Sequence, residues 1–166
     1  MTSPPRPLVV GVAELLRHPG TQRQVTVAAP LDDIAISSAA VTEGEDIEGR
    51  FTLEAMSDHA ITVKGTVTAS WTGECRRCLR TIQGTVSFDV EEVFDARPVE
   101  GEMYPLHGDR LDVEPLLRDA VLLSLPLAPL CEVACAGPEP EQHPIGTGTS
   151  DDVDPRWAGL SELKFE

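Results

Sequence analysis

The stretch that decides the fold runs from residue 60 to residue 90 and reads AITVKGTVTASWTGECRRCLRTIQGTVSFDV. Its first twelve and its last ten residues alternate apolar or small side chains with polar ones. A period of two is typical of a strand with one buried face and one wet face. The stretch therefore predicts two long antiparallel strands, and GECRRCL at residues 73–79 is predicted as the tip of the hairpin between them.

A third alternating segment, DIEGRFTLEAM at residues 46–56, precedes this hairpin, and Ser57-Asp58-His59 has the composition of a turn. Three alternating strands with short links predict an antiparallel meander, which we expect to be partly barrel-like. Shorter elements are predicted on both sides of position 20. They are strands in PLVVGV (7–12), RQVTVAA (23–29) and IAISSAAV (34–41), and one or two helical turns in VAELLR (12–17).

One main helix is predicted at residues 112–125, with Asp112 as its N-cap and Pro115 in its first turn. Pro126 ends it. Its apolar residues recur at helical spacing and should pack one face on the sheet: Val113, Leu116, Leu117, Ala120, Val121 and either Leu123 or Leu125. The predicted fold class is therefore α+β, an antiparallel sheet with one main C-terminal helix.

The chain is expected to form one α+β domain over residues 1–136. Residues 137–150 are acidic and rich in Pro and Gly, and we expect a flexible segment there. Residues 151–166 form a C-terminal tail that can dock on the domain or on a partner. Trp157 is its candidate docking residue.

The charge balance and the apolar runs of the chain limit which partners and which cellular compartment can be expected. The chain has 28 acidic and 13 basic residues, which give a formal net charge of −15. Such a chain repels phosphate, so a basic protein partner fits better than broad nucleic-acid binding. No apolar run reaches the roughly 18 residues of a membrane span, and MTSPPRPLVV lacks the apolar core of a signal peptide. We expect a cytoplasmic protein with reduced cysteines, no membrane partner and no small-molecule substrate.

The four cysteines form two close pairs, Cys75 with Cys78 and Cys131 with Cys135. Thiolate pairs at such spacing can supply the four tetrahedral ligands of one zinc ion. The same residues could form a redox couple, although a hairpin tip lacks the helix dipole that usually lowers a redox thiol's pKa. They could also fill small apolar spaces. All three interpretations remain open at this point.

The same tip carries Arg76, Arg77 and Arg80, three of the thirteen basic residues. This local cluster is the candidate site for a phosphate or nucleic-acid contact, and its alternative is a solvated tip that balances Glu74. The sequence contains no phosphate-binding Gly-rich loop ending in Lys-Ser/Thr, no nucleophile elbow and no His-Glu-x-x-His motif. We therefore expect a protein that is not an enzyme.

A resemblance rests on three motifs taken in order: GECRRCL, then LDVEPLLRDAVLLSLPLAPLC, then DPRWAGLSEL near the C-terminus. Together they resemble the YceD family of large ribosomal RNA subunit accumulation proteins, over about residues 7–163. The resemblance implies a small bacterial or plastid protein linked to accumulation of the large-subunit rRNA, without known enzyme activity. It also implies a partner such as a basic ribosomal protein or a large-subunit precursor, because the family's gene often neighbours that of a small basic zinc-ribbon protein.

The resemblance also bears on the cysteines. Cys75 and Cys78 match the family's hairpin pair, and Cys131 and Cys135 match the start of a Cys-rich stretch that many members extend with two further cysteines. Those further positions fall near Glu139 and Gln142 here. A zinc ion would then need the two remaining pairs together, or His143 as an additional ligand. The alternative function is a zinc- or thiol-redox-handling protein that uses these two pairs.

Overall fold

The structure is a computed structural model that describes residues 8–139 and 141–142. Its strands are β1 Val9–Gly11, β2 Gln22–Pro30, β3 Ala39–Val41, β4 Asp46–Ala55, β5 Ala60–Glu74, β6 Thr81–Asp95, β7 Tyr104–Pro105 and β8 Arg110–Asp112. Its helices are α1 Ala13–Arg17 and α2 Glu114–Ser124. The predictions for residues 143–166, and with them Trp157 and His143, lie outside the described residues. The division at residues 136 and 150 stays a prediction.

The predicted meander is confirmed: β4, β5 and β6 pair in order, each antiparallel to the next. β2 pairs with the outer edge of β4, and β3 pairs with the end of β5 at Trp71–Gly73, in line with β4. β7 pairs with β6 in the parallel direction. β1 and β8 form a separate two-stranded sheet.

The expectation of a partly barrel-like sheet is wrong. The main sheet is open, in the order β2-β4-β5-β6-β7, with β2 and β7 at its two edges. Closure requires pairing between the two edge strands at a consistent stagger. β7 has only two residues and runs parallel to β6, so it offers no edge on which β2 could close the sheet.

The predicted alternation holds fully in β4, where every second residue from Ile47 to Ala55 is buried. It weakens along β6, where Phe88 is on the core-side face but 43% exposed. Helix α2 has 11 residues and is about 16 Å long, whereas β6 has 15 residues and spans about 50 Å. The helix therefore cannot cover the whole hairpin, and the part of β6 nearest the tip is left uncovered.

Helix α2 begins two residues later than predicted, at Glu114. The N-cap position belongs to Val113, so the prediction of Asp112 as the N-cap is wrong by one residue. The Asp112 carboxylate still accepts a hydrogen bond from the Glu114 N–H at 3.0 Å, just before the first turn. The buried helical face holds Leu116, Leu117, Ala120 and Val121. Of the two alternatives for its last contact, Leu125 is buried at 3% and Leu123 is 80% exposed.

The predicted strand at residues 34–41 forms only at Ala39–Val41. The preceding residues turn back on it, because the Ile36 N–H donates to the Ala39 carbonyl and the Val41 N–H donates to the Ile34 carbonyl. This tight link places Ser38 beside the end of β5.

In the part of the chain that the structure describes, no helix is long and apolar enough to cross a membrane.

Candidate metal centre

The tip of the β5–β6 hairpin carries the first cysteine pair. Cys75 directly follows β5, and its N–H extends the β5–β6 ladder by donating to the Arg80 carbonyl at 2.9 Å. The Leu79 N–H donates to the Cys75 carbonyl at 2.9 Å, and Leu79 has a left-handed backbone with φ of 59°. This turn closes residues 75–80 tightly and brings Cys78 onto the side of Cys75.

The loop that follows helix α2 carries the second pair and is tied to the tip. The Ser38 hydroxyl donates to the Pro126 carbonyl at 2.9 Å, which directs the loop along the end of the sheet. The Arg76 N–H then donates to the Pro129 carbonyl at 2.9 Å. A turn in which the Cys135 N–H donates to the Glu132 carbonyl presents Cys131 and Cys135 to the tip.

The four sulfur atoms meet in one cluster. The Sγ atoms of Cys75 and Cys135 are 3.8 Å apart, and those of Cys78 and Cys131 are 3.7 Å apart. All four lie within 4.8 Å of one another. Cys75 and Cys135 are buried, Cys78 and Cys131 are partly exposed, and all four are free thiols. This cluster could hold a metal ion.

The local hydrogen bonds already favour thiolate at one position. The backbone N–H groups of Cys78 and Cys131 lower the pKa of the Cys75 thiol to about 6. Desolvation and the neighbouring thiols raise the pKa of Cys131. Four thiolates cannot share so small a volume without a compensating charge, and a bound cation would supply that charge.

The three arginines of the tip take different positions around this cluster, and all three are exposed. Arg77 donates from Nη1 to the Cys135 carbonyl at 2.9 Å and to the Val133 carbonyl at 3.4 Å, so its side chain joins the two loops. The negative charge of thiolates at Cys131 and Cys78 raises the pKa of Arg80. Arg76 contributes its backbone N–H to Pro129. A phosphate contact by these arginines stays a prediction.

The structure brings together the two cysteine pairs, as the zinc interpretation requires, whereas the ligand role itself stays a prediction. Sequence reasoning did not find the pairing across the loops, in which Cys75 meets Cys135 and Cys78 meets Cys131. It also missed Ser38, whose polar side chain is buried at 8% beside Pro126. A lone serine in a weak strand pattern gives no signal for such a role.

Comparisons with known proteins place this chain in a family. The family model described as Large ribosomal RNA subunit accumulation protein YceD matches residues 63–164. Uncharacterized protein Rv2926c of Mycobacterium tuberculosis is 32% identical over 170 residues, which cover 95% of this chain and 81% of that protein. Uncharacterized protein ML1660 of Mycobacterium leprae is 30% identical over 175 residues, which cover 95% of this chain and 77% of that protein.

No solved structure matches the chain. The matched region begins inside β5 and includes the hairpin tip, β6, helix α2 and both cysteine pairs. The chain belongs to the YceD family of large ribosomal RNA subunit accumulation proteins.

Proposed function

We propose that this protein is a non-enzymatic factor in biogenesis of the large ribosomal subunit, which supports accumulation of the large-subunit rRNA in the cytoplasm. It would act by binding a basic ribosomal protein or a large-subunit precursor. The observation that carries the proposal is the family match over residues 63–164, which spans the hairpin, its tip and the helix that packs beside it.

The charge of the chain supports a basic partner. The net charge is −15, and exposed acids follow the outer face of β6 at Asp89 and Glu91. Among the described residues, these carboxylates accept hydrogen bonds from Thr66 and Lys64 across the sheet, at 2.7 and 2.9 Å. Exposed pairs of this kind contribute little to stability, so the acids remain available for a partner's Lys and Arg side chains.

The cysteine cluster fits a tetrahedral zinc ion. In a tetrahedral site with Zn–S bonds of about 2.3 Å, neighbouring sulfurs are separated by about 1.63 times that length, or about 3.8 Å. The two crosswise Sγ separations here are 3.8 and 3.7 Å. Cys75, Cys78, Cys131 and Cys135 would hold the ion, which would fasten the hairpin tip to the loop after helix α2.

A four-thiolate site supports a structural role for the ion. Catalytic zinc sites keep one position for water or substrate, whereas a site filled by four protein ligands has no such position. The side chain of Arg77 and the backbone N–H of Arg76 would hold the two loops in place around the ion. The resulting tip would be a rigid, basic feature on an acidic protein.

A second candidate function is thiol redox or metal handling, which rests on the same sulfur contacts. Cys75 and Cys135 have their Sγ atoms at 3.8 Å, so a small movement would permit a disulfide. Mass spectrometry after alkylation distinguishes the two functions. Four alkylated thiols after zinc removal support the structural site, and a reversible Cys75–Cys135 disulfide supports redox chemistry.

Affinity purification tests the proposed ribosomal role. The tagged full chain, captured from bacterial lysate at low salt, should enrich proteins of the large subunit or its precursors. A matched variant with Asp89→Asn and Glu91→Gln should enrich them less, and moderate salt should weaken the contact, because exposed charges are screened beyond about 8–10 Å. Absence of large-subunit components at low salt would contradict the proposal.

A further inference from the structure

Strand β6 has a long open edge. It has 15 residues, and β7 pairs with that edge only at Phe94 and Asp95. The remaining part, residues 81–93, spans about 40 Å. Within the described residues, no backbone hydrogen bond reaches this part of the edge from another segment.

The hydrogen-bond pattern between β5 and β6 identifies which backbone groups of β6 face away from β5. The Cys75 N–H donates to the Arg80 carbonyl and the Ala96 N–H donates to the His59 carbonyl, so even-numbered positions of β6 bond to β5. In an antiparallel pair, the alternate residues direct N–H and C=O to the other side. The odd-numbered Asp95 agrees with this pattern, because its carbonyl accepts a hydrogen bond from the Leu106 N–H on the side away from β5. The outward residues on the open part are Thr81, Gln83, Thr85, Ser87, Asp89, Glu91 and Val93.

An open strand edge is a template for another strand, and this one is complementary to itself. Its first half, residues 81–87, is neutral and follows the basic tip, and its second half is acidic. We propose that a second copy of this chain pairs its β6 antiparallel to this edge, with Val86 of both copies on the two-fold axis. The proposal does not depend on the ribosomal function.

In this register every acid on the outer face lies opposite a neutral polar residue. Glu91 of the second copy faces Thr81, Asp89 faces Gln83, and Ser87 faces Thr85. Side chains directly opposite each other interact across antiparallel strands, and like charges there destabilise the pair. A parallel arrangement would instead align Asp89 and Glu91 with the same acids of the second copy.

The core-side face of the strand supports the same register. Phe88, which is 43% exposed, would lie opposite Gly84 of the second copy. A Cβ on Gly84 would stand 2.8 Å from the Trp71 indole, so the indole lies directly over this glycine. Phe88 of one copy would therefore cover the half-buried Trp71 of the other, and Ile82 would lie opposite Val90.

The charged ends of the strand also match. Arg80 would lie opposite Glu92 of the second copy, and the basic tip with Arg76 and Arg77 would reach the acidic end of the other strand. At that end, a cavity of about 320 Å³ is lined by Glu92, Glu102 and Asp119. Glu102 is exposed, and the Asp119 carboxylate accepts a hydrogen bond from the Tyr104 hydroxyl at 2.8 Å. These local attractions oppose the repulsion between two chains that each carry −15.

Sedimentation velocity of the full chain tests the pairing. We expect a reversible dimer at micromolar concentration and a monomer for Thr85→Pro. The Thr85 N–H faces outward, so proline there removes no bond to β5 and should leave the circular dichroism spectrum unchanged. A wild-type monomer up to about 100 µM, or a folded Thr85→Pro variant that dimerises normally, would overturn the proposal.

Two substitutions at one position test the register without threatening the fold. The symmetric dimer contains two contacts between position 83 of one copy and Asp89 of the other. Gln83→Lys should therefore lower the dissociation constant of the dimer about fivefold, and Gln83→Glu should raise it by a similar factor. Equal effects of the two substitutions would overturn the register. Slow hydrogen exchange at Gln83, Thr85 and Ser87 in a monomer would place another segment of the same chain on the edge, which also overturns the proposal.

Discussion

The Sγ atoms of Cys78 and Cys131 lie 3.7 Å apart, although the two residues are 53 positions apart in the chain. The chain between them comprises β6, β7, β8 and helix α2. An ion shared by the two cysteine pairs would therefore fasten the tip of the central hairpin to the loop that follows helix α2. Because the unfolded chain has no such site, binding free energy would become folding free energy.

Removal of the ion should destabilise the protein. A strong zinc chelator should lower the free energy of unfolding by several kcal/mol, and each kcal/mol corresponds to about 2–4 °C in Tm for a domain of this size. Cys78→Ser should produce a similar loss, because it removes one ligand. Calorimetry measures both effects. The chelator should not change the Tm of Cys78→Ser further, and an equal drop in both proteins would show that the chelator acts elsewhere.

Arg77 should stabilise the junction of the two loops. Arg77→Ala removes the hydrogen bonds to the Cys135 and Val133 carbonyls and should cost about 1 kcal/mol, together with weaker metal binding. Arg76→Ala is the matched control, because Arg76 joins the loops through its backbone N–H, which the substitution retains. Competition with a chromogenic zinc chelator measures the affinities. Equal affinities for the two variants would contradict a specific role for the Arg77 side chain.

Gly65 is required by the close approach of β4 to β5. A Cβ at this position would overlap the Arg50 carbonyl oxygen, which is backbone and cannot move aside. Gly65→Ala should therefore destabilise the fold by about 3 kcal/mol or more. Gly11→Ala is the control, since a Cβ there meets nothing within 4 Å. Urea unfolding compares the two variants, and similar midpoints would show that the strands are farther apart than described.

Stability should fall at alkaline pH because of Tyr104. Burial and the hydrogen bond to Asp119 raise the pKa of its hydroxyl above the ordinary value of 10.0. The folded state therefore keeps the Tyr104 proton to a higher pH than the unfolded state does. The resulting contribution to the free energy of unfolding is complete below pH 10 and is lost as the pH rises through the folded pKa. Unfolding curves between pH 8 and pH 11 should show a steeper loss for the wild type than for Tyr104→Phe. Equal losses of stability in the wild type and in Tyr104→Phe would show that other titrating groups cause the effect.

The sequence predicted the central fold because its signals are local. Alternation in residues 46–90 indicates the three strands, and the Asp112 and Pro126 boundaries indicate the helix. The open sheet was not predictable in this way, because closure depends on whether distant strands such as β2 and β7 can pair. The exposure of Phe88 was missed for a related reason, since it depends on how far helix α2 reaches along β6.

The candidate site was predictable only as two separate cysteine pairs. Spacing alone shows that Cys75 can act with Cys78, but the meeting with Cys131 and Cys135 depends on the path of the loop after Pro126. That path is fixed by Ser38 and by the Pro129 carbonyl, two contacts between distant segments that leave no periodic pattern in the sequence.

The metal content of the full chain, purified without chelator, tests the four-thiolate centre most directly. Elemental analysis should give one zinc ion per chain for the wild type and none for the double variant Cys75→Ser and Cys131→Ser. Wild-type protein without zinc, whether its four thiols are free or joined as disulfides, would contradict the account.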